Sequence, residues 1–218
     1  MCKYLTTLIL SLGFLLVSCQ STPTIKGSGV SSSEDRMSGF VNQIEVTGDF
    51  EIDITCGKTN SIKVEAEDNI LPLVETKFED EKLTISTVKE ITALKIVKII
   101  ITLHKLAEID SDGDSKITIH SVQSDDLDIT VNEEGIVEVD GKVDNLNISI
   151  DDEAKVLAKG LITKNTNVNI YGDGIAEVHT RKYFDAQVKG KGTIDYWGDP
   201  EEIRISASGG GSVNKKSD

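Results

Sequence analysis

The chain has 218 residues, long enough for one large domain or two small ones and for a real core. Acidic residues outnumber basic ones by 37 to 23, a formal net charge of −14 at pH 7, which excludes capture of nucleic acid or an anionic bilayer by charge alone. Two of the three cysteines fall within the first 19 positions, which excludes a disulfide framework and leaves an apolar core to hold the fold.

The first 18 residues read as a secretory leader. Lys3 supplies the positive charge and Tyr4 to Val17 is apolar or small, a stretch too short for a permanent span. Cleavage before Cys19, after Leu16-Val17-Ser18, is the pattern of bacterial lipoprotein leaders, in which the new N-terminal cysteine is acylated. Each buried CH₂ of such chains contributes ~0.8 kcal/mol, so two or three chains anchor firmly. The expected location is therefore the bacterial cell envelope, lipid-anchored at the outer membrane, on its periplasmic face or the cell surface. Residues 19–38, rich in Ser, Thr and Gly, are expected to form a lipidated tether.

Residues 39–106 form an N-terminal β region. Ile44 and Val46, then Phe50, Ile52 and Ile54, then Ile62, Val64 and Ala66, then Leu83 and Ile85 alternate with polar residues, as half-buried strands do. Cys56 continues one of these alternations, as a small core residue and not a nucleophile. Between Asn69 and Phe78, Pro72 limits any helix to a short turn. Leu94 to Leu103 is more continuously apolar and predicts a strand covered on both faces.

From residue 107 to 213 the pattern repeats, ahead of a tail at 214–218. Turn clusters occur at Asp112-Gly113-Asp114, Glu133-Glu134-Gly135, Asp152-Glu153, Gly172-Asp173-Gly174, Gly190-Lys191-Gly192 and Gly209-Gly210-Gly211. An alternating strand precedes and follows each turn, and the turns recur about every 18–21 residues, the length of one solenoid coil. The expected fold is all-β: a right-handed β-helix, or solenoid, of short coils, with a β-rich N-terminal half.

These features, in this order, resemble the head GIN domain of putative auto-transporter adhesins. Gly27-Ser28-Gly29, Arg36, Gly39-Phe40, Ile44-Glu45-Val46, Phe50 to Ile54, Gly57, Asp68-Asn69 to Leu73 and Leu83-Thr84-Ile85 carry the first part. The Gly-x-Gly turns, Trp197-Gly198-Asp199-Pro200 and Gly209-Gly210-Gly211 carry the rest, so the resemblance spans about residues 26 to 213. Glu133-Glu134-Gly135 and Asp152-Glu153-Ala154 depart from the turn pattern. The resemblance implies a β-helical fold, an envelope location and an adhesin-like role, and brings no catalytic residues.

Alternation sends every second side chain outward. One outward column is Asp128, Asn147, Asn167, Asp185 and Arg204, and its neighbour is Thr130, Ser149, Asn169, Gln187 and Ser206. Asn147, Asn167, Asn169 and Gln187 are the candidate ligand-binding face, since regular amides and hydroxyls suit a glycan or a protein partner. A second column, His120, Asp140, Lys159, His179 and Trp197, offers an acid–base pair and an indole for stacking on a sugar. Asp110, Asp112 and Asp114 are candidate ligands for Ca²⁺, without forming an EF-hand loop, and no other cofactor is expected. The three histidines lack zinc spacing, and neither a phosphate loop nor a Gly-x-Ser-x-Gly elbow occurs. The expected function is a membrane-anchored, non-catalytic binding module. The alternative is a β-helix enzyme acting on polysaccharide.

Overall fold

A computed structural model describes residues 24–36 and 39–217. The leader, Cys19 and the start of the expected tether lie outside the described residues. In chain order the strands begin with β1 (Ile25–Lys26), β2 (Ser31–Arg36), β3 (Gln43–Thr47), β4 (Glu51–Cys56) and β5 (Ser61–Glu67). A 3-10 turn at Leu71–Leu73 contains Pro72 and leads into β6 (Val74–Glu79), β7 (Lys82–Thr87), β8 (Ile91–Thr92), β9 (Lys98–Leu103) and β10 (Glu108–Asp112). Then come four long strands: β11 (Lys116–Val131), β12 (Ile136–Asp152), β13 (Lys155–Gly172) and β14 (Ile175–Lys189). Last are β15 (Thr193–Trp197), β16 (Glu202–Ser208) and β17 (Ser212–Lys215). The described residues contain no α-helix.

All strands but β1 and β8 join one continuous sheet of 15, which wraps into a β-solenoid of about five coils. It wraps because the long strands bend midway. In β11 the bend is at Ser121, whose φ is 61°, and in β12 at Gly141, whose φ is 131°. The second halves of β11 to β14 stack with β6, β7, β3, β10 and β16 as a front face. The first halves stack with β2, β5, β9, β4, β15 and β17 as a back face. A short side between them pairs Val122–Ser124 with Gly141–Val143.

Within the repeat all pairing is parallel, and away from the bends it is in register, so like residues stack: Ile129, Ile148, Val168, Ala186 and Ile205 form one inward column. The members from Ile129 to Ala186 are buried, as is the partner column Ile119, Val139 on the back face. No single coil could bury these rows; stacking does it for all. Phe184 and Tyr196 bridge the two faces, their ring centroids 4.7 Å apart. Antiparallel strands close the N-terminal end, where β2 (Ser-Ser-Ser-Glu-Asp-Arg) and β6 are polar edges. At the other end β16 is exposed along its whole length, including Ile203 and Ile205, since no further coil among the described residues covers it.

The turns stack as well. Gly113, Glu133, Asp152, Gly172, Gly190 and Gly209 all have positive φ; the two residues that replace glycine in the pattern hold it at 59° each, a left-handed value that a side chain tolerates better than the 116° to 144° of Gly113, Gly172 and Gly190. At Gly190 a methyl would run into the Gly172 carbonyl of the coil below.

Two elements differ from the sequence reading. The tether expected over 19–38 enters the fold by residue 25: β1 pairs with β8, and β2 pairs antiparallel with β5. Polar residues suit β2 because it is a solvent-facing edge. Leu94 to Leu103 is not covered on both faces. Ile99, Ile101 and Leu103 are buried, whereas Leu94 and Ile96 precede β9 in an exposed loop. Cys56 lies half-buried, and that burial pushes its thiol up to about 11, far from a nucleophile's range.

Candidate ligand-binding face

The outer surface of the front face is ruled into columns by the register. Asp128, Asn147, Asn167, Asp185 and Arg204 lie directly opposite one another on successive coils, and so do Thr130, Ser149, Asn169, Gln187 and Ser206. Asn147, Asn167, Asn169 and Gln187 therefore make one contiguous patch: Asn147 faces Asn167, and Asn169 faces Gln187. Neighbouring coils stand ~4.8 Å apart, within reach of an amide hydrogen bond. Asn147 Nδ2 donates to Asp128 Oδ1 at 2.7 Å, and Asn169 Nδ2 lies 3.5 Å from Asn167 Oδ1. Each side-chain amide has two donors and a carbonyl, so these bonds leave capacity pointing to solvent.

Two residues upstream the alternation continues into a third column that sequence reading missed: Asp126, Asn145, Asn165, Tyr183 and Glu202. Asn145 donates to Asp126 at 2.8 Å and Asn165 to Asn145 at 2.7 Å. Tyr183 donates its hydroxyl to Asp185 at 3.0 Å, and Arg204 lies over its ring at 5.4 Å. Beyond the patch at the other strand end stands Tyr171, exposed, with Lys189 over its ring at 5.1 Å. Tyr171 and Tyr183 thus bracket the amides along the strand direction. The period of two, run one step further each way, would have found both.

The acidic set is spread out. Asp110 faces outward beside Glu45 and Thr130, Asp112 sits opposite Thr47, and Asp114 follows Gly113 in the turn, its N–H donating to Asp49 Oδ1 at 3.2 Å. Burial raises the Asp110 carboxyl, and Glu45 beside it raises it further, while Lys82 lies 2.9 Å from Glu45. No three acidic, histidine or cysteine side chains converge on a metal position among the described residues.

The second column holds at one end and breaks at the other. His120 Nδ1 lies 2.9 Å from Asp140 Oδ2, and the Ser121 N–H donates to Asp140 Oδ1 at 2.8 Å. That backbone bond is the main reason the Asp140 carboxyl sits low, and Asp140 in turn raises His120. The pair is exposed on the back face, away from the amide patch of the front face. Farther on the register shifts between Ala158 and Ile162, so His179 faces Ile162 and not Lys159. Trp197 is buried, with Lys159 Nζ over its ring at 4.4 Å, so it offers no open indole face for stacking.

Residues 41–200 match the family model described as putative auto-transporter adhesin, head GIN domain. Among solved structures, a putative adhesin from Bacteroides fragilis NCTC 9343 has a TM-score of 0.73 at 22% identity, over 88% of this chain and 100% of that one. A putative lipid binding protein from Parabacteroides distasonis ATCC 8503 has a TM-score of 0.61 at 20% identity, over 89% of this chain and 100% of its own. A putative adhesin from Parabacteroides merdae ATCC 43184 follows at 0.53 and 18%, over 90% and 100%. At such identities the likeness is one of fold. Among curated proteins none matches the chain.

Proposed function

Because the chain belongs to the family of the putative auto-transporter adhesin head GIN domain, we propose that it is an envelope protein, anchored through an acylated Cys19, that binds a glycan on its front face without catalysis. One observation carries the reading: Asn147, Asn167, Asn169 and Gln187 form a flat patch of amides bracketed by Tyr171 and Tyr183. Adjacent hydroxyls of a sugar pair with the donor and acceptor of one amide, and the apolar face of a sugar ring stacks on an aromatic side chain. Repetition at a fixed spacing suits a polymer, whose own groups repeat. Lys189 and Arg204 cover one side of each tyrosine ring, so the ligand stacks on the other side or displaces the cation.

The test is a glycan array probed with the mature chain carrying Cys19→Ser, which keeps it soluble. Capture of a defined glycan is expected, weakened at least tenfold by Asn167→Ala with Gln187→Ala and by Tyr183→Ala. Capture that survives both changes sinks the assignment to this face, and hydrolysis or elimination of the captured glycan would return the enzyme alternative. Parallel arms in Ca²⁺ and in EDTA, repeated on Asp112→Asn with Asp114→Asn, report whether the acidic turns at Asp110, Asp112 and Asp114 contribute a cation.

A further inference from the structure

Eight large apolar side chains stand exposed among the described residues, and five of them belong to loops of the N-terminal half: Val30, Phe40, Val88, Leu94 and Ile96. Ile96 is 70% exposed and Leu94 58%. A loop tip that offers two such residues to water is costly unless something covers them. This tip is also built to hold its shape. Glu67 is fully enclosed, and its carboxylate accepts from the backbone N–H of Gly29 (2.5 Å), Leu94 (2.8 Å) and Lys95 (3.4 Å). One buried carboxylate thereby ties the Gly29–Val30 loop to the Leu94–Ile96 loop. Burial alone would raise that carboxyl, but the three N–H groups outweigh it and hold it below the usual range. A side chain at Gly27 would strike the same carboxylate, so the site needs glycine there. Lys95 Nζ, donating to Ser31 Oγ at 2.7 Å, completes the tie.

The surroundings say what covers the tip. Lys26, Lys89 and Lys95 are exposed around it. Beside it runs a groove of about 740 Å³ whose wall joins Ile91, Ala93, Leu94, Ile96 and Val97 to Thr24, with Asp49, Glu51, Glu90 and Asp114 at its polar side. Thr24 is the first described residue, and it leads directly into β1, the partner of β8. From Thr24 back to Cys19 is five residues, a reach of at most ~18 Å. An acylated Cys19 therefore holds the bilayer surface within that distance of Thr24, which shares the groove wall with Leu94 and Ile96.

We infer that the Val30, Leu94 and Ile96 tip is a membrane-contact site, seated in the boundary between headgroups and acyl chains, with Lys26, Lys89 and Lys95 reaching up to the headgroups. The inference rests on the Cys19 anchor proposed above. Apolar side chains rimmed by lysines are the make-up of interfacial anchors, whose aliphatic stems lie in the boundary while the ammonium stays wet. The overall acidity of the chain does not oppose this, because the contact is made by apolar groups.

The experiment uses the full acylated protein in phosphatidylcholine vesicles with and without bromine on the acyl chains, which quenches tryptophan at the membrane boundary. Ile96→Trp is compared with the unaltered chain, whose single tryptophan, Trp197, is buried near the far end of the solenoid. Flotation with the vesicles and at least threefold stronger quenching of Ile96→Trp are expected, with Leu94→Trp repeating the result. Flotation without extra quenching overturns the contact site and leaves the anchor standing. Failure to float overturns both. A blue-shifted emission indifferent to bromine would mean that a second copy of the chain covers the tip, and also overturns it.

Discussion

Phe184→Ala is the sharpest probe of the stacked core. Phe184 is fully buried on the front face, stacked in its column between Thr166 and Ile203, with its ring against Tyr196 of the back face. Burying a phenylalanine removes ~150–250 Å² from water, and at ~25 cal/mol per Å² the side chain contributes about 4–6 kcal/mol. Loss of the ring typically costs ~3–5 kcal/mol, cavity included. The low end, about 3 kcal/mol, is expected here, because Ile203 above it is 44% exposed and free to settle into the gap. Urea unfolding followed by circular dichroism gives the magnitude, and hydrogen exchange read peptide by peptide gives its location. Each coil touches only its neighbours, so protection is expected to fall in β13 to β17 while β3, β4 and β7 keep theirs. A loss under ~1 kcal/mol would refute the packing argument. Equal loss of protection from end to end would refute the coil-by-coil one.

The turn stack makes a paired prediction. Gly190→Ala, at φ 144° and against the Gly172 carbonyl, is expected to cost about 2 kcal/mol or more, whereas Glu133→Gly, which relieves a φ of 59°, stays within ~1 kcal/mol of neutral; urea midpoints measure both. For His120 the raised pKa means that its bond to Asp140 stabilises the fold fully below the ordinary histidine value of 6.5 and loses that contribution as pH rises through the raised value. Asp140→Asn is expected to return the His120 titration, followed by NMR, towards 6.5 and to flatten the stability difference between pH 6 and 8. An unchanged titration would show that the 2.9 Å contact does not govern the ring.

Most of the repeat was legible because one physical rule, alternation at a period of two, fixes both which side chains go inward and which outward ones align. The columns through Asn147 and Asn169 follow from that rule alone, since turns of nearly equal spacing keep the register. Legibility ended where geometry stopped being periodic. The slip between Ala158 and Ile162 at the bend misaligned the His179 column, and Trp197 is buried with Lys159 over its ring. Composition misled at β2: Ser31 to Arg36 carry little apolar signal, yet their strand is specified by the unpaired edge of β5. The apolar run before β9 misled in the other direction, since Leu94 and Ile96 look like core and stand in the open. Glu67 was invisible as a site because its role depends on two loops that are distant in sequence.

The in-register stacking of Ile129, Ile148, Val168 and Ala186 has a consequence for how such a chain changes size. Any coil presents the same edge upward as it accepts from below, so a unit can be duplicated or deleted without altering the joints on either side. Height is then a quantised variable, growing by ~4.8 Å for each coil added. A protein built this way works as a ruler, whose length is set by counting units and not by redesigning a core.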